Sequence, residues 1–176
     1  MVPKVLPDGS RNTATCGSIE HKMGIRGSAT CVMNFDGATG WLVGEENAGL
    51  AAMFIMMNAA RLSCGNQGLA QAELAYQNAV AYTLERRQGR TPGDDAAACP
   101  LIAHPDIRRM LMDARAFTEG FRALVLWTSL QIDLSHHAAS EGERTAADAL
   151  VGFLTPVLKG FGTDRGFETA VGSPCP

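Results

Sequence analysis

Two arginines on one apolar helical stretch are the first candidates for chemistry. Arg61 lies inside a run of apolar residues, where a cation is costly unless it is paired or faces a ligand. Arg86 follows in the segment Tyr82–Gln88, where the end of the same stretch would favour a cation through the helix dipole. From residue type alone, an ion pair to a neighbouring helix for Arg61 and a solvated helix-end cation for Arg86 are the ordinary interpretations.

Other polar groups have weaker patterns. Asp133 and His137 are four residues apart and could share a metal ion, with His136 beside them, but no third ligand is clustered nearby. A solvated helix end is therefore predicted there, with no metal site. The glycines of Gly24–Ser28 lack the spacing of a phosphate-binding loop.

Composition argues against several function classes. The formal net charge is −3 and the basic residues form no long run, so nothing indicates a nucleic-acid groove. The longest apolar stretch, Gly49–Met57, is far below the roughly 20 residues of a membrane span, and no membrane partner is expected. The cysteines form no C-x-x-C motif, which predicts buried, reduced thiols in a cytoplasmic protein. They are Cys16, Cys31, Cys64, Cys99 and Cys175.

The first 44 residues have the pattern of short strands. Ala29–Phe35 alternates and is rich in β-formers, Asp36 and Gly37 mark a turn, and Ala38–Val43 is a second apolar run. Two to four antiparallel strands are predicted, and so small a sheet must pack on something else.

Residues 45–176 have a helical pattern. Apolar residues recur at spacings of three, four and seven over about forty residues from Glu45, and a methionine cluster at 53, 56 and 57 is predicted to lie in the core. Gly65 and Gly68 inside this helix indicate either a close approach of another backbone or a break.

Two further helices complete the predicted bundle. A loop is expected over Gly89–Pro100, a second helix over Pro105–His137, and a third from Glu141 to about Ala170, with Pro156 as a kink or restart. Three antiparallel helices make most of a bundle, so the predicted fold class is mainly α.

Several motifs in order resemble one known family. His21–Thr30 reads H-K-M-G-I-R-G-S-A-T, Asn58–Arg61 reads N-A-A-R, and Glu85–Gln88 reads E-R-R-Q. This order, over roughly Val2–Val171, resembles the C-terminal half of acyl-CoA dehydrogenases. His104–Leu111 adds a finer match to the subgroup that resembles 3-methylmercaptopropionyl-CoA dehydrogenase.

The resemblance implies a fold and a reaction. Residues 1–44 would be a remnant of the middle β domain and 45–176 the C-terminal helical bundle domain, truncated before the catalytic-base loop. The reaction implied is FAD-dependent oxidation of the Cα–Cβ bond of an acyl-CoA thioester, with a glutamate as base. Ala60 stands where some relatives carry that glutamate, and Glu168 precedes the segment that carries it in others. No catalytic residue is therefore assigned to this chain, and the chain alone is expected to be inactive.

The resemblance also implies roles for both arginines. Arg86 matches the arginine that reaches the FAD pyrophosphate of a neighbouring subunit, and paired guanidinium hydrogen bonds suit phosphate oxygens. Gly89 and Arg90 replace the phenylalanine and glycine that follow in the family motif. Arg61 matches an arginine near the acyl-CoA thioester. The implied partners are an acyl-CoA substrate, further copies of the chain in a dimer or tetramer, and electron-transfer flavoprotein as electron acceptor.

Two alternatives remain open from the sequence. A non-catalytic or nucleic-acid-binding member of the same family would need a basic surface on the bundle, and the net charge counts against it. A helical oligomerisation fragment would instead rely on exposed apolar faces.

Overall fold

The computed structural model describes residues 1–92 and 98–174. The chain divides into two compact units, Met1–Met53 and Phe54–Pro176, which are described separately. Its elements are β1 (Thr15–Ile19), β2 (Cys31–Asn34), α1 (Gly49–Glu85), a short 3-10 turn (Leu101–Ala103), α2 (Pro105–His137) and α3 (Glu141–Gly172). The predicted fold class is confirmed, because three long helices follow a small sheet.

The first unit contains one two-stranded antiparallel sheet. Ile19 lies opposite Cys31, and an irregularity in the pairing falls between Cys16 and Ser18. The strand predicted over Ala29–Phe35 is thus present in its central part. Residues 20–30, which include the glycines at 24 and 27, connect the two strands.

The prediction of a strand at Ala38–Val43 is wrong. The buried amide of Asn12 donates to Pro3 O and Thr39 O, each at 2.8 Å, and accepts from Thr39 N at 3.0 Å. Trp41 N donates to Met1 O at 2.8 Å. Side-chain and isolated backbone bonds therefore satisfy polar groups that a regular ladder would otherwise pair.

Helix α1 is 37 residues long, close to the predicted length, but it begins four residues later than predicted. Its buried residues all lie between Gly65 and Thr83. Met53, Met56 and Met57 are 41%, 64% and 36% exposed, so their prediction as core residues is wrong. The apolar pattern is present from Leu50 onwards, yet no residue of α1 before Gly65 is buried.

The bounds of α2 and α3 follow local signals in the sequence. Pro105 occupies the first turn of α2, where a missing N–H costs nothing. At the start of α3, Glu143 N donates to the Ser140 hydroxyl at 3.2 Å. The Glu143 carboxylate accepts from the backbone N–H of Ser140, which completes a capping box. α3 continues through Pro156 without a restart.

The core of the second unit draws on all three helices. Phe117 and Phe121 of α2 stack with ring centroids 5.4 Å apart, and Phe161 of α3 meets both at 5.9 Å. Burial of such side chains stabilises a fold by roughly 1.5–3 kcal/mol each. The buried cluster consists of Leu69, Ala72, Phe117, Phe121, Val125 and Leu158.

Glycines let α1 and α3 meet backbone to backbone. A Cβ at Gly65 would lie 2.9 Å from Leu158 O, and a Cβ at Gly166 would lie 2.6 Å from Gly68 O. A Cβ at Gly162 would overlap the ring of Phe121. Of the two readings of Gly65 and Gly68, the close approach is therefore correct, and α1 is unbroken.

One polar contact also joins α1 to α2. Arg122 donates to Glu73 at 2.8 Å, and Gln77 donates to the other carboxylate oxygen at 2.8 Å. The Gln77 hydrogen bond and, after it, the Arg122 guanidinium hold the pKa of Glu73 below its usual range.

We predict that Gly166→Ala will lower the free energy of unfolding by several kcal/mol, since its Cβ would meet the backbone of Gly68 and neither helix can yield without losing core contacts. The matched control is Gly160→Ala on the same helix, where no atom lies within 4 Å of the added Cβ. The control should be neutral or stabilising by up to about 1 kcal/mol. Urea unfolding measures both, and equal midpoints for the two variants would contradict the close crossing.

We predict that Glu73→Gln will destabilise the chain at neutral pH and that its difference from the native chain will shrink in acid. A folded-state pKa below the unfolded value gives stability that is present above the unfolded pKa, about 4.3, and is lost as pH falls through the folded pKa. The effect should stay within about 1 kcal/mol because Arg122 is half-exposed. Urea midpoints at pH 7 and pH 3 measure it. Glu119→Gln, which removes a more exposed pair with Arg115, is the control and should change less.

Candidate functional site

Arg86 lies directly after the last residue of α1 and is fixed by backbone bonds on two sides. Its N–H donates to Tyr82 O at 2.8 Å, which continues the helical pattern, and its carbonyl accepts from Leu101 N at 2.8 Å. The segment after the helix is therefore tied at once to the segment before α2.

These two segments form what we call the clasp, residues 86–89 and 98–104. Gln88 N donates to Cys99 O at 2.9 Å, and Cys99 N donates to Gly89 O at 3.0 Å. Arg87 and Pro100 form an isolated antiparallel bridge. The loop predicted over Gly89–Pro100 is thus paired at its ends, while residues 93–97 lie outside the described residues.

Two side chains pack inside the clasp. Cys99 is buried, with its Sγ 3.6 Å from Gly89 O and 3.5 Å from His104 Nε2. His104 Nε2 lies 2.8 Å from Gln88 O. Sequence reasoning missed both roles, and the only available signal was a histidine directly before the proline that starts α2.

The prediction of buried cysteines holds only in part. Cys99 is buried and Cys64 is intermediate, but Cys16 and Cys31 on the paired strands are exposed. Hydrogen bonding with Cys16 raises the pKa of the Cys31 thiol. Cys175 lies outside the described residues.

The guanidinium groups of Arg86 and Arg87 differ in their hydrogen bonds. Arg87 donates through Nε and Nη2 to Ala98 O, at 3.2 and 2.8 Å, and so closes the clasp. Arg86 is exposed, and within residues 1–92 and 98–174 its guanidinium makes one long side-chain bond, 3.4 Å to the Gln88 side chain. With respect to the described residues, most of its five N–H donors therefore remain available to an external anion.

Arg61 lies in the first half of α1 and is half-buried. Its guanidinium carbon lies 5.7 Å from the centroid of the Phe54 ring, and Nη1 is 3.4 Å from Asn58 Oδ1. Within residues 1–92 and 98–174, no carboxylate lies within 4.0 Å of it, so the ion pair to a neighbouring helix is not formed there.

The structure does not bring the two predicted arginines together. They are separated by 25 residues of one helix and its exit, which at 1.5 Å per residue is roughly 37 Å. One chain therefore cannot place both guanidinium groups around a single small ligand.

The remaining candidates do not form a second site of clear chemistry. His136 and His137 lie in the exposed last turn of α2, and the described part of the chain contains no cluster of three metal-ligating side chains. A cleft of about 440 Å³ between α2 and α3 is lined by charged groups that already pair. Arg109 bonds to Asp106 and Asp113, and Arg165 bonds to Glu168 at 2.6 Å.

Among the helices described, none is long and apolar enough to cross a membrane.

The known proteins that are similar in sequence to this chain include several acyl-CoA dehydrogenases. No protein-family model matches it. It is 50% identical over 177 residues to 3-methylmercaptopropionyl-CoA dehydrogenase of Ruegeria pomeroyi, a match that covers 97% of this chain and 30% of that protein. It is 35% identical over 181 residues to a broad-specificity linear acyl-CoA dehydrogenase of Mycobacterium tuberculosis, covering 94% and 30%.

A solved structure agrees in fold. Butyryl-CoA dehydrogenase from Megasphaera elsdenii superposes with a TM-score of 0.59 at 23% identity, over 90% of this chain and 43% of that one. The chain spans 30% of the length of the two sequence relatives above. Since the sequence matches extend over nearly the whole chain and the fold agrees with them, the chain belongs to the acyl-CoA dehydrogenase family.

Proposed function

We propose that this chain is one segment of an FAD-dependent acyl-CoA dehydrogenase, which oxidises the Cα–Cβ bond of an acyl-CoA thioester. Residues 1–44 are assigned to the middle β domain of that enzyme and 45–176 to its helical bundle domain. Acyl-CoA dehydrogenases are in general flavoproteins. The observation that carries the proposal is the exposed Arg86 guanidinium, held on a backbone that is bonded on both sides.

Arg86 fits the pyrophosphate of FAD by its donor chemistry. Its planar fork can hold two phosphate oxygens at once, and in the described part of the chain its one side-chain bond, 3.4 Å to Gln88, leaves most of that fork available. Arg87, beside it, is already committed to Ala98 O and adds positive charge without competing for the same position. When bound, FAD supplies the hydride acceptor for the oxidation.

Arg61 is proposed to face the acyl-CoA substrate. A half-buried cation over the Phe54 ring, with no carboxylate within 4.0 Å in the described segments, remains available to an anionic ligand. Because Arg86 lies roughly 37 Å away, the two arginines serve different sites. That separation supports a homo-oligomer in which Arg86 reaches the cofactor of a partner, with electron-transfer flavoprotein as the proposed electron acceptor.

A role in assembly has its own support. Leu126, Leu130 and Leu134 recur every four residues on α2 and are 64%, 52% and 38% exposed. Residues at this spacing share one helix face, so they form an exposed apolar stripe. We assign this stripe to contact with another copy of the chain.

We predict that Arg86→Ala in the whole flavoprotein will weaken FAD binding at least about tenfold. Truncating one partner of a desolvated charge pair costs about 2–5 kcal/mol, and each tenfold loss corresponds to about 1.4 kcal/mol. The melting temperature without flavin should barely change, because an exposed arginine contributes little to stability. Titration of FAD into the apo-protein measures the affinity.

Two variants control for charge. Arg86→Lys should restore binding only in part, since it supplies charge without the paired donors. Arg108→Ala removes an exposed arginine on α2, outside the clasp, and should bind FAD like the native protein. Equal FAD affinities for Arg86→Ala and Arg108→Ala would mean that Arg86 is only a solvated helix-end cation.

We predict that the chain self-associates and that Leu126→Lys with Leu130→Lys shifts it towards the monomer. Bare apolar patches larger than a few hundred Å² are uncommon on monomers, and two lysines would disrupt this one. Sedimentation over a concentration series measures the change. Gln71→Lys, at an exposed polar position of α1, controls for added charge. A native chain that stays monomeric at all concentrations would refute the assignment.

A further inference from the structure

His104 joins three parts of the second unit at one point. Its ring Nε2 lies 2.8 Å from Gln88 O, on the segment that carries Arg86. Its backbone N–H donates to Leu101 O at 3.0 Å, and its carbonyl accepts from Arg108 N at 3.1 Å in the first turn of α2. The residue therefore connects the exit of α1 to the start of α2.

The chemistry of the ring contact is defined by its partner. A carbonyl oxygen can only accept a hydrogen bond, so Nε2 must carry the hydrogen in this contact. The neutral Nε2–H tautomer and the imidazolium both meet that requirement. The bond therefore needs a donor at the position of Nε2, which a glutamine amide can also supply.

Gly89 and Cys99 lie beside the His104 ring. Gly89 has a φ of +71°, which favours glycine, and a Cβ there would lie 3.3 Å from His104 Cε1. Cys99, 3% exposed, places its sulfur 3.5 Å from Nε2. A side chain at position 89 would therefore crowd the ring, and Cys99 Sγ lies beside the nitrogen that bonds to Gln88.

We propose that His104 is a positioning residue for Arg86: by holding the Gln88 carbonyl, it fixes the backbone from which the Arg86 guanidinium extends towards an anionic cofactor group. This inference rests on the proposed function of Arg86. His104 itself does not touch the cofactor. Its effect should therefore pass through Arg86 and disappear when that arginine is absent.

The test measures FAD affinity in the whole flavoprotein for His104→Ala in two backgrounds. Loss of one hydrogen bond should weaken FAD binding roughly three- to tenfold when Arg86 is present and leave it unchanged in Arg86→Ala. His104→Gln should restore most of the affinity. His136→Ala, at the exposed end of α2, is the matched histidine control and should bind FAD normally.

A second measurement tests the clasp without FAD. The amides of Cys99 and Leu101 donate to carbonyls of the Arg86 segment, so their hydrogen exchange should be several-fold faster in His104→Ala and near native in His104→Gln. Gly89→Ala, which strains φ and crowds the ring, should give the same faster exchange. This second variant keeps the test valid if His104→Ala does not fold.

The outcomes separate the two proposals. Unchanged exchange in His104→Ala and Gly89→Ala overturns the positioning role, whatever Arg86 does. Equal FAD losses in both backgrounds also overturn it, since the histidine would then act without Arg86. Native FAD affinity in Arg86→Ala refutes the proposed function of Arg86, and the positioning role fails with it even if exchange is faster.

Discussion

The close crossing of α1 and α3 is the constraint on which the second unit depends. Gly65 and Gly68 bring the two backbones so near that no side chain fits between them. Gly162 leaves space for the ring of Phe121, which closes the core from α2. Glycine inside a helix is destabilising by up to about 1 kcal/mol, and the packing that Gly65, Gly68, Gly162 and Gly166 permit must offset that cost.

This crossing also determines where the candidate site lies. Burial of α1 continues beyond the glycines through Ala79 and Thr83, both fully buried. The last turn of the helix is therefore packed, and Arg86 leaves it at a defined position. The clasp then extends that order beyond the helix, because Arg86, Gln88 and Gly89 bond to residues 98–104 before α2 begins.

Local signals in the sequence predicted the bounds of the helices better than they predicted the contacts between helices. The second and third helices were predicted to start at Pro105 and near Glu141, and the structure begins α2 and α3 there. The exposed methionines of α1 could not be predicted, because periodicity shows which residues share a face but not whether another element covers it.

The clasp was missed for a related reason. The backbone hydrogen bonds of the clasp join residues 10 to 15 positions apart. Such bonds leave no periodic pattern of side chains in the sequence. The resemblance identified Arg86 and Arg61 as candidates. The groups that contact Arg86, and the lack of a nearby carboxylate at Arg61 among the described residues, could be seen only in the structure. The sequence thus indicated the candidate arginines, and the structure showed which groups surround them.

The position of the two arginines along α1 has a physical consequence, since Arg61 lies a third of the way along the helix and Arg86 lies just beyond its end. Rise per residue places Arg61 and Arg86 roughly 37 Å apart, and a helix held by a backbone crossing cannot bend to bring them closer. Under the proposed function, the Arg86 guanidinium would hold a phosphate group through two hydrogen bonds, which tolerate little error in position. A frayed helix end would not fix that position. The packing of α1 therefore fixes the direction of the helix, and the clasp fixes the position of Arg86 directly after it.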